Sequence, residues 1–197
     1  MHCLVVIAHP LDGSLCRGLA QTAVDTLVAA GHSVQVEDLY AEGFAPALTP
    51  AERASYYAGP FDASQVQAQA QRLLQAEGLV LVFPTWWFGF PAMLKGWFDR
   101  VWAPGLAYDH AGDLGPIRPR LHQLRRTLAV TTLGSPWWVD RLVLRQPVRR
   151  VLKTALLGTC APRATLQMLS LHQAERLSAA QVQRFGRRIE GALARWP

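Results

Sequence analysis

Three short segments hold most of the chemical capacity of the chain: HPLDGS (His9 to Ser14), PTWWFGFP (Pro84 to Pro91) and TTLGSPWW (Thr131 to Trp138). The first sets an imidazole, a glycine and a hydroxyl just ahead of a helix signal. Free backbone N–H groups and the positive end of that helix would suit a phosphate. A plain cap at Ser14 beside an ordinary loop histidine explains the same residues equally well. Neither GxGxxG nor the triphosphate loop GxxxxGK is present. The second segment is bracketed by prolines and carries Gly89, so neither a strand nor a helix can continue through it. Trp86, Trp87, Phe88 and Phe90 are therefore expected on a loop, where clustered apolar side chains point to a ligand or a partner subunit rather than to packing. In the third segment, the Thr131 and Thr132 hydroxyls and the N–H groups around Leu133 and Gly134 could bond the edge of a planar polar ring.

These segments need elements to place them, and the chain supplies strand and helix signals in alternation. CLVVIA (Cys3 to Ala8) and GLVLVF (Gly78 to Phe83) are β-branched apolar runs suited to strands buried on both faces, whereas SVQVEDL (Ser33 to Leu39) alternates like an edge strand. TLAVTTL (Thr127 to Leu133) and ATLQML (Ala164 to Leu169) add two more. Helix starts are marked by Ser14, by TPAE at Thr49 to Glu52, by DASQ at Asp62 to Gln65 and by SAAQ at Ser178 to Gln181. From Pro91, the residues Leu94, Trp97, Phe98, Val101 and Trp102 follow the spacing of one buried helix face. Alternation of this kind predicts an α/β domain spanning 1–197, a three-layer doubly wound five-stranded parallel sheet. Ligands of such sheets bind beyond the carboxyl ends of the strands, where all three segments fall. A phosphate seat at one end and a flat slot lined by aromatic rings at the other describe flavin mononucleotide or the flavin half of FAD.

Composition sets the outer limits. The chain has 197 residues, half of them apolar, enough for a substantial core. No apolar run approaches the roughly 18 residues of a membrane span, and MHCLVVIAHP lacks the features of a secretory leader, so the expectation is a cytoplasmic protein without a transmembrane segment. Peripheral membrane association stays open. Cys3, Cys16 and Cys160 form no CxxC pair and are expected as reduced thiols, with no metal site. A net charge of +6 suits a phosphate-bearing partner, but no recognition motif for DNA or RNA accompanies it, and no nucleic-acid partner is expected. Arg141, Arg145, Arg149 and Lys153 recur every four residues, although Pro147 should interrupt a helix there. A solvated basic face is the plainer reading, and attraction of cofactor phosphates or of an acidic surface is the sharper one.

AHPLDGSLC, DLY, FPTWWFGFPAMLKGWFDRV, GLAYDH and TTLGS together resemble the NAD(P)H quinone reductases. This flavodoxin-like oxidoreductase group includes the modulator-of-drug-activity enzymes and the ancillary subunit of glutathione-gated potassium efflux systems. The resemblance covers about the first two thirds of the chain in order and spacing. It implies strand order 2-1-3-4-5 and a homodimer with flavin, as FAD or FMN, at the interface. It further implies NAD(P)H as co-substrate and two-electron reduction of a small aromatic acceptor such as a quinone by a ping-pong route. A noncatalytic flavoprotein subunit is the alternative within the same group. His9, Ser14, Leu15 and Cys16 would hold the flavin phosphate, with Cys16 standing where many relatives have asparagine. Pro84, Thr85, Trp86, Trp87 and Phe88 would line the ring, and Thr131, Thr132, Leu133 and Gly134 would approach its polar edge. Tyr108 and His110 fall in the family's lid over the acceptor. Val139 and Arg145 occupy the positions of the family's tyrosine and histidine, so Arg141 or Arg145 would supply positive charge instead.

Overall fold

A computed structural model describes residues 1–110 and 115–197. Five parallel strands form the central sheet: β1 (His2–Ile7), β2 (Ser33–Asp38), β3 (Gly78–Pro84), β6 (Arg126–Thr132) and β7 (Thr165–Leu171). Their order is β2-β1-β3-β6-β7, which is 2-1-3-4-5 counted within the sheet, and β2 lies at an edge. Period-two alternation splits the apolar runs between two cores. On one face, Leu4, Val6, Leu79, Leu81 and Phe83 meet α3 (Gln67–Gln75), α4 (Ala92–Val101) and a helical run from Pro147 to Cys160. On the other, Val5, Ile7, Val80, Val82 and Val130 meet α1 (Leu15–Ala29) and α7 (Ala179–Leu193). β3 is buried along its whole length because it lies between β1 and β6 with a core on each side.

Helix starts follow the sequence signals except at one place. Ser14 accepts from Arg17 N, and full capping boxes open α2 (Pro50–Ser55) at Thr49 and α7 at Ser178. Asp62 caps no helix: its carboxylate closes a local turn by accepting from Ser64 N, and α3 starts at Gln67 without a side-chain cap. A short side chain two residues from a free N–H satisfies it locally and competes with the helix.

The basic stretch also divides. A wide π-helical turn covers Val139–Val143, left-handed backbone follows at Arg145 (φ 55°) and Gln146 (φ 50°), and a new helical run starts at Pro147. Proline thus opens a helix here, where its missing N–H costs nothing. The run comprises α5 (Pro147–Arg150), a π-helical segment Val151–Leu157 and α6 (Gly158–Cys160). A separate two-stranded antiparallel sheet pairs β4 (Tyr108–Asp109) with β5 (Arg118–Pro119), and a short 3-10 turn covers Ala174–Arg176 after β7.

Among the contacts that fix α4, which follows the aromatic loop, two involve Trp97 and Gly96. Trp97 is fully buried in the helix stripe, and its indole Nε1 donates to Glu37 Oε1 at 2.6 Å. Arg72 Nη1 makes an ion-pair contact with the other Glu37 oxygen at 3.2 Å. Burial pushes the Glu37 carboxyl up to about 7, against the lowering effects of Arg72 and the Trp97 bond. Gly96 lies so close to Pro46 that a Cβ there would sit 2.1 Å from the Pro46 carbonyl oxygen.

Candidate functional site

The carboxyl ends of β1, β3 and β6 meet at a cleft of about 480 Å³, within the range of small-molecule sites. From β1, the loop enters α1 at Ser14, whose hydroxyl is engaged as the cap, leaving the N–H groups of Leu15 and Cys16 at the free first turn. His9 lines the cleft, and its Nδ1 accepts from Leu11 N at 3.1 Å. In the neutral ring the proton is therefore on Nε2, which makes that nitrogen a donor. Arg17 ties the loop to the end of β2 through ion-pair contacts with Asp12 at 2.9 Å and Asp38 at 2.7 Å. Asp38 in turn accepts from the N–H groups of Tyr40 and Ala41, which explains the DLY sequence as a turn that seats this anchor.

The wall that follows β3 is shaped by the backbone. Thr85 is held by N–H and hydroxyl bonds to the Thr132 carbonyl at 2.9 and 3.3 Å. Gly89 N then donates back to Trp86 O at 3.0 Å, closing a turn with Trp87 (φ 52°) and Phe88 (φ 56°) in the left-handed region. Both central residues of a type I′ turn require that conformation, which glycine and asparagine favour and bulky residues resist. Two aromatic residues there store strain of the kind found at ligand sites. Trp87 is 100% exposed, Trp86 is 45% exposed, and both line the cleft with Pro84 and Thr85.

The third side departs from expectation in two ways. The Leu133 N–H is already bonded to Leu171 O at 2.9 Å, so it is not available to a ligand. Thr131 is fully buried beneath the cleft, and its hydroxyl has no hydrogen-bond partner among the described residues. Thr132 does line the cleft, with Oγ1 3.6 Å from Cys16 Sγ. Burial pushes the Cys16 thiol up to about 11, opposed by the Thr132 hydrogen bond, so the sulfur is a proton-bearing neutral group. Leu133 and Gly134 complete that side, joined by Ala174 and Glu175 from the turn after β7. A Cβ on Gly134 would lie 3.3 Å from Glu175 Oε1, a tight approach that the flexible carboxylate would have to yield to. Sequence reading missed Glu175, although it follows a strand whose carboxyl end points to the same edge as the other loops.

Other expected site residues lie elsewhere. Phe88 belongs to the turn but not to the cleft lining, and Arg141 is exposed in the π-helical turn after Trp138. Tyr108 lines a second, apolar cavity, while His110 packs its ring 4.7 Å from Tyr57 and 5.3 Å from Tyr108. Trp137, Trp138, Leu142 and Val143, in and just before the turn that carries Arg141, are all exposed. No metal-type cluster of His, Cys, Asp or Glu occurs among the described residues, and none of their helices is long and apolar enough to cross a membrane.

A 2-1-3-4-5 parallel sheet with helices on both faces defines a doubly wound α/β protein, and the cleft lies where sheets of this class bind their ligands. The flavodoxin-like fold family is matched over residues 1–181, and the chain belongs to it. Over 150 residues it is 33% identical to the NAD(P)H dehydrogenase (quinone) 1 of Cavia porcellus, covering 67% of this chain and 53% of that one. An uncharacterised NAD(P)H oxidoreductase of Escherichia coli K12 is 39% identical over 105 residues, covering 53% of this chain and 54% of that one. The chain thus spans about half the length of these two relatives. The solved NAD(P)H:quinone oxidoreductase from Methanothermobacter marburgensis superposes with a TM-score of 0.86 at 26% identity, over 99% of this chain and 98% of that one.

Proposed function

We propose that the protein is a flavin-dependent NAD(P)H:acceptor oxidoreductase that reduces quinones or similar flat aromatic compounds by two electrons in alternating half-reactions. The carrying observation is the strained Trp86–Gly89 turn, which holds indole rings at the mouth of a cleft whose other end is an open helix start. The residues fit the group. The Leu15 and Cys16 N–H groups, with His9 Nε2–H, suit a phosphate, and the small Gly134 admits a ring edge. A bound flavin, as FMN or FAD, supplies the hydride chemistry itself. The protein's part is to hold the phosphate, set the ring against the Pro84 to Trp87 wall, exclude bulk water and admit NAD(P)H and acceptor in turn. No proton transfer by a side chain is required for hydride transfer.

The names of the similar proteins support the reductase activity and the nicotinamide co-substrate. The exposed side chains of Trp137, Trp138, Leu142 and Val143 suit a homodimer, in which Tyr108 and His110 cover an acceptor and Arg141 adds positive charge. The test is the absorption spectrum of the purified protein, the mass of its released chromophore, and NADPH or NADH oxidation with a quinone. A yellow protein with quinone-dependent turnover is expected. A colourless protein that neither FMN nor FAD reconstitutes overturns the assignment, and bound flavin without turnover favours a noncatalytic subunit.

A further inference from the structure

The second cavity, about 510 Å³, lies on the other side of the same turn. Trp86 and Trp87 face the first cleft, whereas Gly89 and Phe90 line the second. Its walls are aromatic and rigid: the Phe90 and Phe98 rings pack edge to face at 5.2 Å, and Phe98 meets Trp102 in the same manner at 5.5 Å. Tyr56 contributes its ring while its hydroxyl donates outward to Asp99 O at 2.7 Å. Lys95 and Asp99, the charged residues of the lining, are paired to each other at 2.5 Å. Leu156 and Val151 supply the aliphatic side. Trp102 Nε1 is a buried group of this lining without a hydrogen-bond partner among the described residues, but the surface is otherwise aromatic and aliphatic with its two charges paired to each other, so the cavity offers little to a polar ligand and a large apolar surface to a hydrocarbon one. The first cleft is the reverse, with free N–H groups, an imidazole and a carboxylate.

We propose that this second cavity receives the hydrocarbon arm of the flat-headed acceptor, so that the substrate class is alkyl-substituted quinones or their analogues. The proposal rests on the oxidoreductase reading for the head group and on the cavity alone for the arm. Gly89 and Phe90 of the second lining follow Trp86 and Trp87 of the first in the same turn, so the two compartments adjoin, and the proposed arm passes over side-chain-free Gly89. Each methylene that enters the cavity adds about fourfold to binding.

The experiment uses 2-alkyl-1,4-naphthoquinones of increasing chain length with the flavin-loaded protein and NADPH. Expected is a kcat/KM that climbs about fourfold per methylene over the first few carbons. Leu156→Trp and the partly exposed Val151→Phe, which fill the cavity away from the first cleft, should flatten that slope and leave the methyl compound unchanged. A slope independent of chain length in the wild type, as a cavity sealed by a second copy would give, overturns the proposal. So does an unaltered slope in both correctly folded variants. If no quinone is reduced at all, the oxidoreductase reading fails separately. Calorimetric titration of the flavin-free protein with the same series then decides the arm site: affinity that grows with chain length in the wild type but not in Leu156→Trp supports it, and affinity blind to chain length removes it.

Discussion

Trp87 allows backbone strain to be separated from ligand contact, because its side chain is wholly exposed and its backbone is left-handed at φ 52°. Replacing it forfeits no buried area. Left-handed backbone costs a residue bearing a Cβ roughly 1–2 kcal/mol, a cost that glycine escapes. Glycine returns roughly 0.5–1 kcal/mol of that through the greater freedom of its unfolded chain. Trp87→Gly should therefore stabilise the flavin-free protein by about 1 kcal/mol, while Trp87→Ala, which keeps the strain, should leave it near the wild type. For a chain of this size the difference is about 2–4 °C in Tm. Both variants lose the same aromatic face, worth about 1–3 kcal/mol of stacking on a planar ring, so flavin should bind roughly 5- to 150-fold more weakly in each. Urea unfolding followed by circular dichroism gives the stabilities, and fluorescence titration with FMN gives the affinities. Equal stability of the glycine and alanine variants would refute the strain. Unchanged FMN affinity in both would refute the role of the ring.

Two further perturbations address the framework behind the aromatic wall. Glu37 has a folded-state value of about 7 against an ordinary 4.5, so the folded protein holds a proton there that the unfolded chain has released. Its contribution to stability is fully present below about 4.5 and is lost as pH rises through 7, about 3 kcal/mol in all. Glu37→Gln should flatten that part of the pH-dependent unfolding profile and gain on the wild type above pH 7, as denaturant melts at pH 5 and 8 would report. Gly96→Ala should cost roughly 1–3 kcal/mol or more, read from the urea midpoint, because its Cβ would meet the Pro46 carbonyl at 2.1 Å and backbone must move to admit it.

The sheet was legible because β1 and β3 are covered on both faces, which writes them into the sequence as apolar runs with interspersed β-branched residues. The aromatic loop was legible for the opposite reason: its prolines and glycine forbid regular structure, so its large side chains had no local core to fill. Other parts depend on partners far along the chain. The loss of the Leu133 N–H to Leu171 follows from where β7 ends against β6, which a local pattern cannot show. Glu175 enters the cleft by the same register. The two-residue strands β4 and β5 are too short for periodicity to mark them. The left-handed Trp87–Phe88 pair contradicts residue preference, so only the closed turn reveals it.

The π-helical segment Val151–Leu157 carries both aliphatic walls of the second cavity, Val151 and Leu156. A π turn holds one more residue than an α turn over the same span, and such turns recur at functional sites. The segment is thus a place where the gene can gain or lose a single codon while the flanking turns keep their phase, with Pro147 still opening the run and Thr165 still entering the sheet. Because the same segment buries Leu152 and Leu157 in the core, such a change would recut the cavity wall and give divergent descendants of this chain a route to new acceptors only where those two side chains keep their places.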